Sequence, residues 1–206
     1  SMFFEAFGDK ININIISRLS WTAGLTLVAN SFHKGRIFIA GDAAHLFTPT
    51  GGLGYNTGIE DAVNLGWKIA AVLNGWGQKK LLDSYHTERH QSALRNTSFA
   101  REFADSIGKY KATDDLEDET VMGEEARKKA GDYLSSHARA EFNIPGITFG
   151  YRYDGSPVLA GVNQVPPPDK ANAYQPSGVP GGRAPHFWID QNLSIYDKFA
   201  VDFTLI

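Results

Sequence analysis

The 206-residue chain has no cysteine. Disulfides, thiolate nucleophiles and thiolate metal sites are therefore excluded, and the composition is compatible with a cytoplasmic protein, the expected location. No apolar run reaches the roughly 18 residues that a membrane-spanning helix requires, so no membrane partner is expected. An excess of positive charge is also missing: 20 Lys and Arg stand against 23 Asp and Glu, for a net charge of −3. That balance argues against non-specific nucleic-acid binding, which needs clustered positive charge. The six His suggest no metal site. No strand leads into a Gly-x-Gly-x-x-Gly turn, the phosphate cradle that opens a doubly wound nucleotide-binding fold.

What is present is a core and a glycine-rich turn. The chain is 42% hydrophobic, with 13 Phe, 8 Tyr and 4 Trp, enough to bury one and a half domains. Gly35 to His45 reads as a buried strand that stops at Asp42. Pro49-Thr50-Gly51-Gly52-Leu53-Gly54-Tyr55-Asn56-Thr57-Gly58 follows, and then an apolar-striped helix. A carboxylate at a strand end beside a helix opened by glycines makes a place for a polar, anionic ligand. Ile37, Phe38 and Ile39 are continuous apolar residues, as in a central parallel strand covered on both faces.

Periodicity organises the rest. Ile59, Ala62, Val63, Gly66, Trp67, Ile69, Ala70 and Leu73 recur at helical spacing and predict a helix over 57–73, stopped at Asn74-Gly75. A second helix is expected over 79–107. Residues 11–16 alternate like an edge strand, and Ser20-Trp21-Thr22 opens a short helix carrying Leu25, Val28 and Ala29. Residues 109–132 are charged and read as a loop with a short helix. Residues 147–149 and 151–153 read as strand pieces. Pro166 to Pro168 and the stretch 176–185 cannot be regular helix and suggest an extended arm.

Gly41-Asp42-Ala43-Ala44-His45, with Pro49, Gly51-Gly52-Leu53-Gly54, Asn56, Gly58, Asp61-Ala62, Asn64-Leu65 and Trp67-Lys68, resembles the second flavin motif of the FAD-dependent aromatic hydroxylases. The likeness continues through Leu82, Tyr85, Glu88 and Arg89. It resumes from Leu159 and Pro176 through Pro180 to His186 and Phe203-Thr204-Leu205, where it resembles the phenol, chlorophenol and polyketide hydroxylase branch. The resemblance implies an α/β fold: part of a Rossmann-like FAD-binding domain of the 4-hydroxybenzoate hydroxylase type, lacking the first nucleotide-binding unit and carrying an extended arm. It implies the end of a substrate-domain sheet at 1–20, the FAD-binding domain's C-terminal part at 21–108 and a charged helical or loop segment at 109–145. A strand and proline-rich arm follows at 146–198, and the start of a thioredoxin-like domain at 199–206. The chain is expected to be a piece of a longer protein, cut at both ends, with Ser1-Met2 a remnant before an internal start.

The function so implied is hydroxylation of an activated phenolic or polyketide ring with FAD, NAD(P)H and dioxygen. Asp42 would contact the ribityl region. Pro49, Gly51, Gly52, Leu53, Gly54, Tyr55 and Asn56 would bring their backbone to the isoalloxazine, with the Pro49 carbonyl nearest the aromatic substrate. Glycines admit a planar ligand because they have no Cβ, and helix-start amides favour negative charge. Without the first nucleotide unit, the chain alone is expected to be inactive, to retain no stoichiometric FAD and to self-associate. No catalytic residue is assigned. His45 is expected to order the turn rather than transfer protons, Arg89 to anchor its helix to the sheet, and Trp67 and Trp76 to sit in a core or domain interface. Two other readings stay open: a non-catalytic, self-associating module derived from a flavoprotein, and a different oxidoreductase of the same superfamily.

Overall fold

A computed structural model describes residues 6, 8, 9, 12, 14, 16, 17, 19, 20, 25–161, 163–200 and 203–205. Two of the three long helices, α1 (Leu53–Leu73) and α2 (Asp83–Ile107), pack against each other. They are linked by a tight turn at Gly75, where φ is +81°, and a 3-10 turn over Lys79–Leu82. Helix α3 (Val121–Phe142) starts at Thr120, whose side chain accepts the Gly123 amide as an N-cap. A short α4 (Pro145–Phe149) follows, with Pro at its start.

The strands are short: β1 (Leu27–Val28), β2 (His33–Lys34), β3 (Ile37–Phe38), β4 (His45–Leu46), β5 (Trp188–Asp190) and β6 (Leu193–Ser194). They form three separate antiparallel pairs, β1 with β4, β2 with β3 and β5 with β6. The central parallel strand expected at Ile37 to Ala40 is therefore corrected. Gly35, at φ +62°, begins a two-residue hairpin loop that pairs Lys34 with Ile37. Ile37 is 72% exposed, so no second layer covers that face within the described chain.

Two apolar clusters anchor the helices. Phe32, Ala44, Tyr85 and Ala93 pack together with Val28, Phe38 and Leu65 around them. Leu53, Ala100, Ile144 and Ile147 form the second cluster, against Phe47 and Phe99. Helix α4 replaces the strand expected at 147–149. A Cβ on Gly146 would stand 1.8 Å from the Lys170 carbonyl oxygen, so the missing side chain lets α4 press against the arm.

Other expectations also change. Residues 121–142 form one long helix instead of a loop with a short one. Leu27–Val28 is a strand, and Trp21 to Gly24, where a helix was expected, lie outside the described residues. In the expected edge strand, Ile11, Ile13 and Ile15 also lie outside them, while Asn12, Asn14 and Ile16 carry no regular structure. The arm from 150 onward is extended, with an Arg152–Gly182 bridge; its expected strand character yields to α4 at one end and a 3-10 turn over Ile195–Lys198 at the other.

Candidate functional site

After β3 the chain turns at Gly41, at φ +56°, and winds through a 3-10 turn over Gly41–Ala43. Gly51 and Gly52, at φ +65° and +63°, then swing the backbone into α1, with Gly52 as its N-cap. The amides of Gly52, Leu53, Gly54 and Tyr55 precede the first intrahelical hydrogen bond and lack helical partners. Between the two turns lies an open groove of about 400 Å³, lined by Ala40, Gly41, Asp42, Gly54, Tyr55, Gly58, Ile59 and Ala62. Glycine keeps it narrow at its base, where a Cβ on Gly58 would meet the Gly41 Cα at 3.3 Å. Asp42 is the only charged residue of the lining.

The structure brings Asp42, Gly54 and Tyr55 to this groove and leaves the other candidate residues around the turn above it. Gly51 donates its amide to Glu141 Oε1 at 2.8 Å. Asn56 turns its Nδ2 back onto the Gly52 carbonyl at 2.8 Å, so its side chain braces the helix start. The Leu53 side chain is buried in the second apolar cluster. Pro49 is exposed and does not line the groove.

Behind the groove stands a buried polar network, of which the sequence singled out only His45 and Arg89, for structural roles. Asp61, fully buried, accepts from Arg89 Nε through Oδ1 at 2.7 Å. Its Oδ2 receives the Gly41 amide at 3.0 Å and His45 Nε2 at 2.6 Å. Arg89, also fully buried, further reaches the Thr57 carbonyl and Glu60 Oε2. Next to it Glu88 takes Lys68 Nζ at 2.5 Å, Asn64 Nδ2 at 2.7 Å and the Ser156 hydroxyl at 2.6 Å. The network ties α1 to α2 and the arm to both. Burial pushes the Asp61 carboxyl up, but the hydrogen bonds from His45 and Arg89 and the Arg89 charge outweigh it, leaving Asp61 below the usual carboxylate range. Burial lowers Lys68, against the opposing pull of Glu88. His45 does order the turn, by a side-chain hydrogen bond to Asp61. Arg89 anchors α2 to α1, not to a sheet, which corrects that expectation. Thr57, Asp61, Asn64 and Lys68 lie three and four residues apart, and that spacing of polar residues was the available signal.

Trp67 and Trp76 stack on each other at 6.4 Å, and Phe203 meets Trp76 edge-on at 5.8 Å; at 38% and 54% exposed they do not lie in a core of the described chain, which leaves the domain-interface expectation as it stood. His86 and His90, one helical turn apart, have ring centroids 4.8 Å apart. No group of three or more His, Asp or Glu able to hold a metal ion occurs among the described residues. No described helix is long and apolar enough to cross a membrane.

The family profile for the FAD binding domain matches residues 5–100. An FAD-dependent monooxygenase of Penicillium oxalicum is 33% identical over 199 residues, 93% of this chain and 37% of that protein. An uncharacterised aromatic compound monooxygenase of Bacillus subtilis is 57% identical over 72 residues, 34% of this chain and 14% of its own length. The solved structure of the rebeccamycin biosynthetic enzyme RebC with reduced flavin superposes with a TM-score of 0.71 at 39% identity, over 84% of this chain and 32% of that one. The chain thus spans about a third of the length of relatives matched along most of it. Its mixed helices and strands agree with part of an α/β FAD-binding fold. Through residues 5–100 the chain belongs to the FAD-binding domain family, and it resembles the FAD-dependent aromatic hydroxylases.

Proposed function

We propose that this chain forms the isoalloxazine and ribityl side of the cofactor site in an FAD-dependent monooxygenase that hydroxylates a phenolic or polyketide ring. The carrying observation is the glycine-lined groove with Asp42 at one wall and the start of α1 at the other. Its residues fit a flavin. Gly41, Gly54 and Gly58 leave it without side-chain bulk where a flat ring would approach. The exposed Asp42 carboxylate is suited to accept hydrogen bonds from ribityl hydroxyls. The amides of Leu53, Gly54 and Tyr55 supply positive dipole ends toward a reduced, anionic ring. When bound, FAD supplies the redox chemistry by which NAD(P)H and dioxygen deliver one oxygen atom to the aromatic ring. The Pro49 carbonyl is proposed to stand on the substrate side.

The test is Asp42→Ala in a longer protein that carries this chain and retains FAD. Loss of a charge-assisted hydrogen bond, worth about 1.5–3 kcal/mol, should weaken FAD retention by roughly ten- to a hundredfold. Preference across a panel of phenols and polyketide aromatics, followed by NAD(P)H oxidation, should stay the same. Full flavin occupancy with altered substrate preference would contradict the assignment.

One observation favours a second reading, a non-catalytic, self-associating module. Ile59, Val63, Trp67 and Leu73 of α1 are exposed at 45%, 66%, 38% and 80%, and such apolar faces mark contact surfaces. Sedimentation of the chain at several concentrations separates the two: a stable dimer indifferent to FAD favours the module.

A further inference from the structure

We propose that Asp61 is a positioning residue for the groove: its buried carboxylate holds the Gly41 amide and thereby sets where Asp42 presents its side chain. The inference rests on the flavin reading of the groove for its consequence and on geometry for its mechanism. Among the described residues the Asp42 side chain has no hydrogen bond or ion pair of its own, so the backbone alone places it. That backbone is fixed one residue earlier. Gly41 adopts φ +56°, gives its amide to Asp61 Oδ2 at 3.0 Å and accepts the Ala44 amide at 2.8 Å. Gly58 stands directly against it.

Asp61 is a rigid post for this purpose. Arg89 Nε holds one oxygen at 2.7 Å, and His45 Nε2 shares the other at 2.6 Å with the Gly41 amide. The His45 Nδ1 is buried without a partner, so the whole polar commitment of that ring is to Asp61. The two oxygens therefore divide the work: Oδ1 satisfies the buried guanidinium, and Oδ2 holds the turn that carries Asp42. A residue serving only to neutralise Arg89 would not need its second oxygen on Gly41.

Asp61→Asn separates these roles. Its one carbonyl oxygen must serve the buried Arg89, which leaves an NH2 group facing the Gly41 amide and His45. In the full 206-residue chain, hydrogen exchange of the Gly41 amide should accelerate at least about tenfold, as the loss of a hydrogen bond to a charged group predicts, while the Ala93 and Ala100 amides of α2 keep their protection. In Asp61→Asn/Arg89→Met the amide oxygen is freed for Gly41, and protection there should return. NMR titration with FAD up to millimolar should shift the Asp42 amide in the wild type and need about tenfold more FAD in Asp61→Asn. In an Asp42→Ala background, Asp61→Asn should add nothing.

Unchanged Gly41 protection in Asp61→Asn overturns the proposal. So does a loss of FAD affinity that is equally large with and without Asp42. If Asp61→Asn loses core protection, the double variant decides: restored core with an unprotected Gly41 overturns the proposal, and joint recovery supports it. Faster Gly41 exchange with no FAD-induced shift in the wild type supports the positioning and overturns the flavin reading instead.

Discussion

The two faces of α1 are inverted relative to an ordinary surface helix. Toward α2 it presents Thr57, Asp61, Asn64 and Lys68, all buried; on the outer side Ile59, Val63, Trp67 and Leu73 are exposed. A surface helix normally buries its apolar stripe and wets its polar one. The inner face tolerates charge because its carboxylates and cations are paired: Asp61 with Arg89, Glu88 with Lys68. Paired geometry of this kind specifies one arrangement of the two helices and one position for Gly41. The outer face has exposed apolar surface, with only Trp67 meeting a partner ring among the described residues, Trp76, at 6.4 Å. The contrast is that of a helix whose polar side is closed by paired charges and whose apolar side stays largely open among the described residues.

The sharpest way to break that comparison is to unpair the inner face. Arg89→Ala leaves Asp61 as a buried charge without its guanidinium and should cost about 3–5 kcal/mol in urea unfolding. A loss below about 1 kcal/mol, the scale of surface ion pairs, would show that water already reaches the network.

Acid should act on the same face, more gradually. The folded Asp61 carboxyl lies below its unfolded value of 3.8, so the native state binds fewer protons than the unfolded one between those values. Its contribution is fully present above about pH 4 and is lost as pH falls through the lowered folded value. Stability measured from pH 6 to 2 should decline less steeply in Asp61→Asn than in the wild type. Parallel curves would remove Asp61 from the acid response.

The outer face should respond least in stability and most in association. Val63→Glu should change the folding free energy by no more than about 0.5 kcal/mol, yet weaken self-association seen by sedimentation. A large destabilisation would mean that Val63 is covered within the chain.

These contrasts also explain what could be read in the sequence. The apolar recurrence from Ile59 to Leu73 located α1, although its start lies at Leu53, because glycines at 52 and 54 hide the first turn from a periodicity reading. The recurrence did not reveal which side is covered, and here the buried side is the polar one. Ile147 and Thr148 favour a strand locally, but Pro145 at the helix start and the close approach of Gly146 to Lys170 decide for α4. The 121–142 helix was obscured by its charge, since exposed helices of mixed polarity carry little periodic signal. At the groove, Asp42, Gly54 and Tyr55 stood out as a strand-end carboxylate and a glycine turn. Asp61 did not, because its role depends on partners 16, 20 and 28 positions away in the chain.

The central claim is that the groove beside Asp42 is one side of a flavin site, and titration of the isotopically labelled chain with FAD tests it most directly. The account predicts amide shifts gathered on the groove lining between Ala40 and Asp42 and between Gly54 and Ala62 and on the adjoining Leu53 amide, with half-saturation weaker than micromolar because the groove is open on its outer side. A one-to-one complex at micromolar affinity or tighter would contradict the partial character of the site. Shifts gathered instead around Arg95, Tyr151 and Tyr174, which line a separate cavity, would contradict its location.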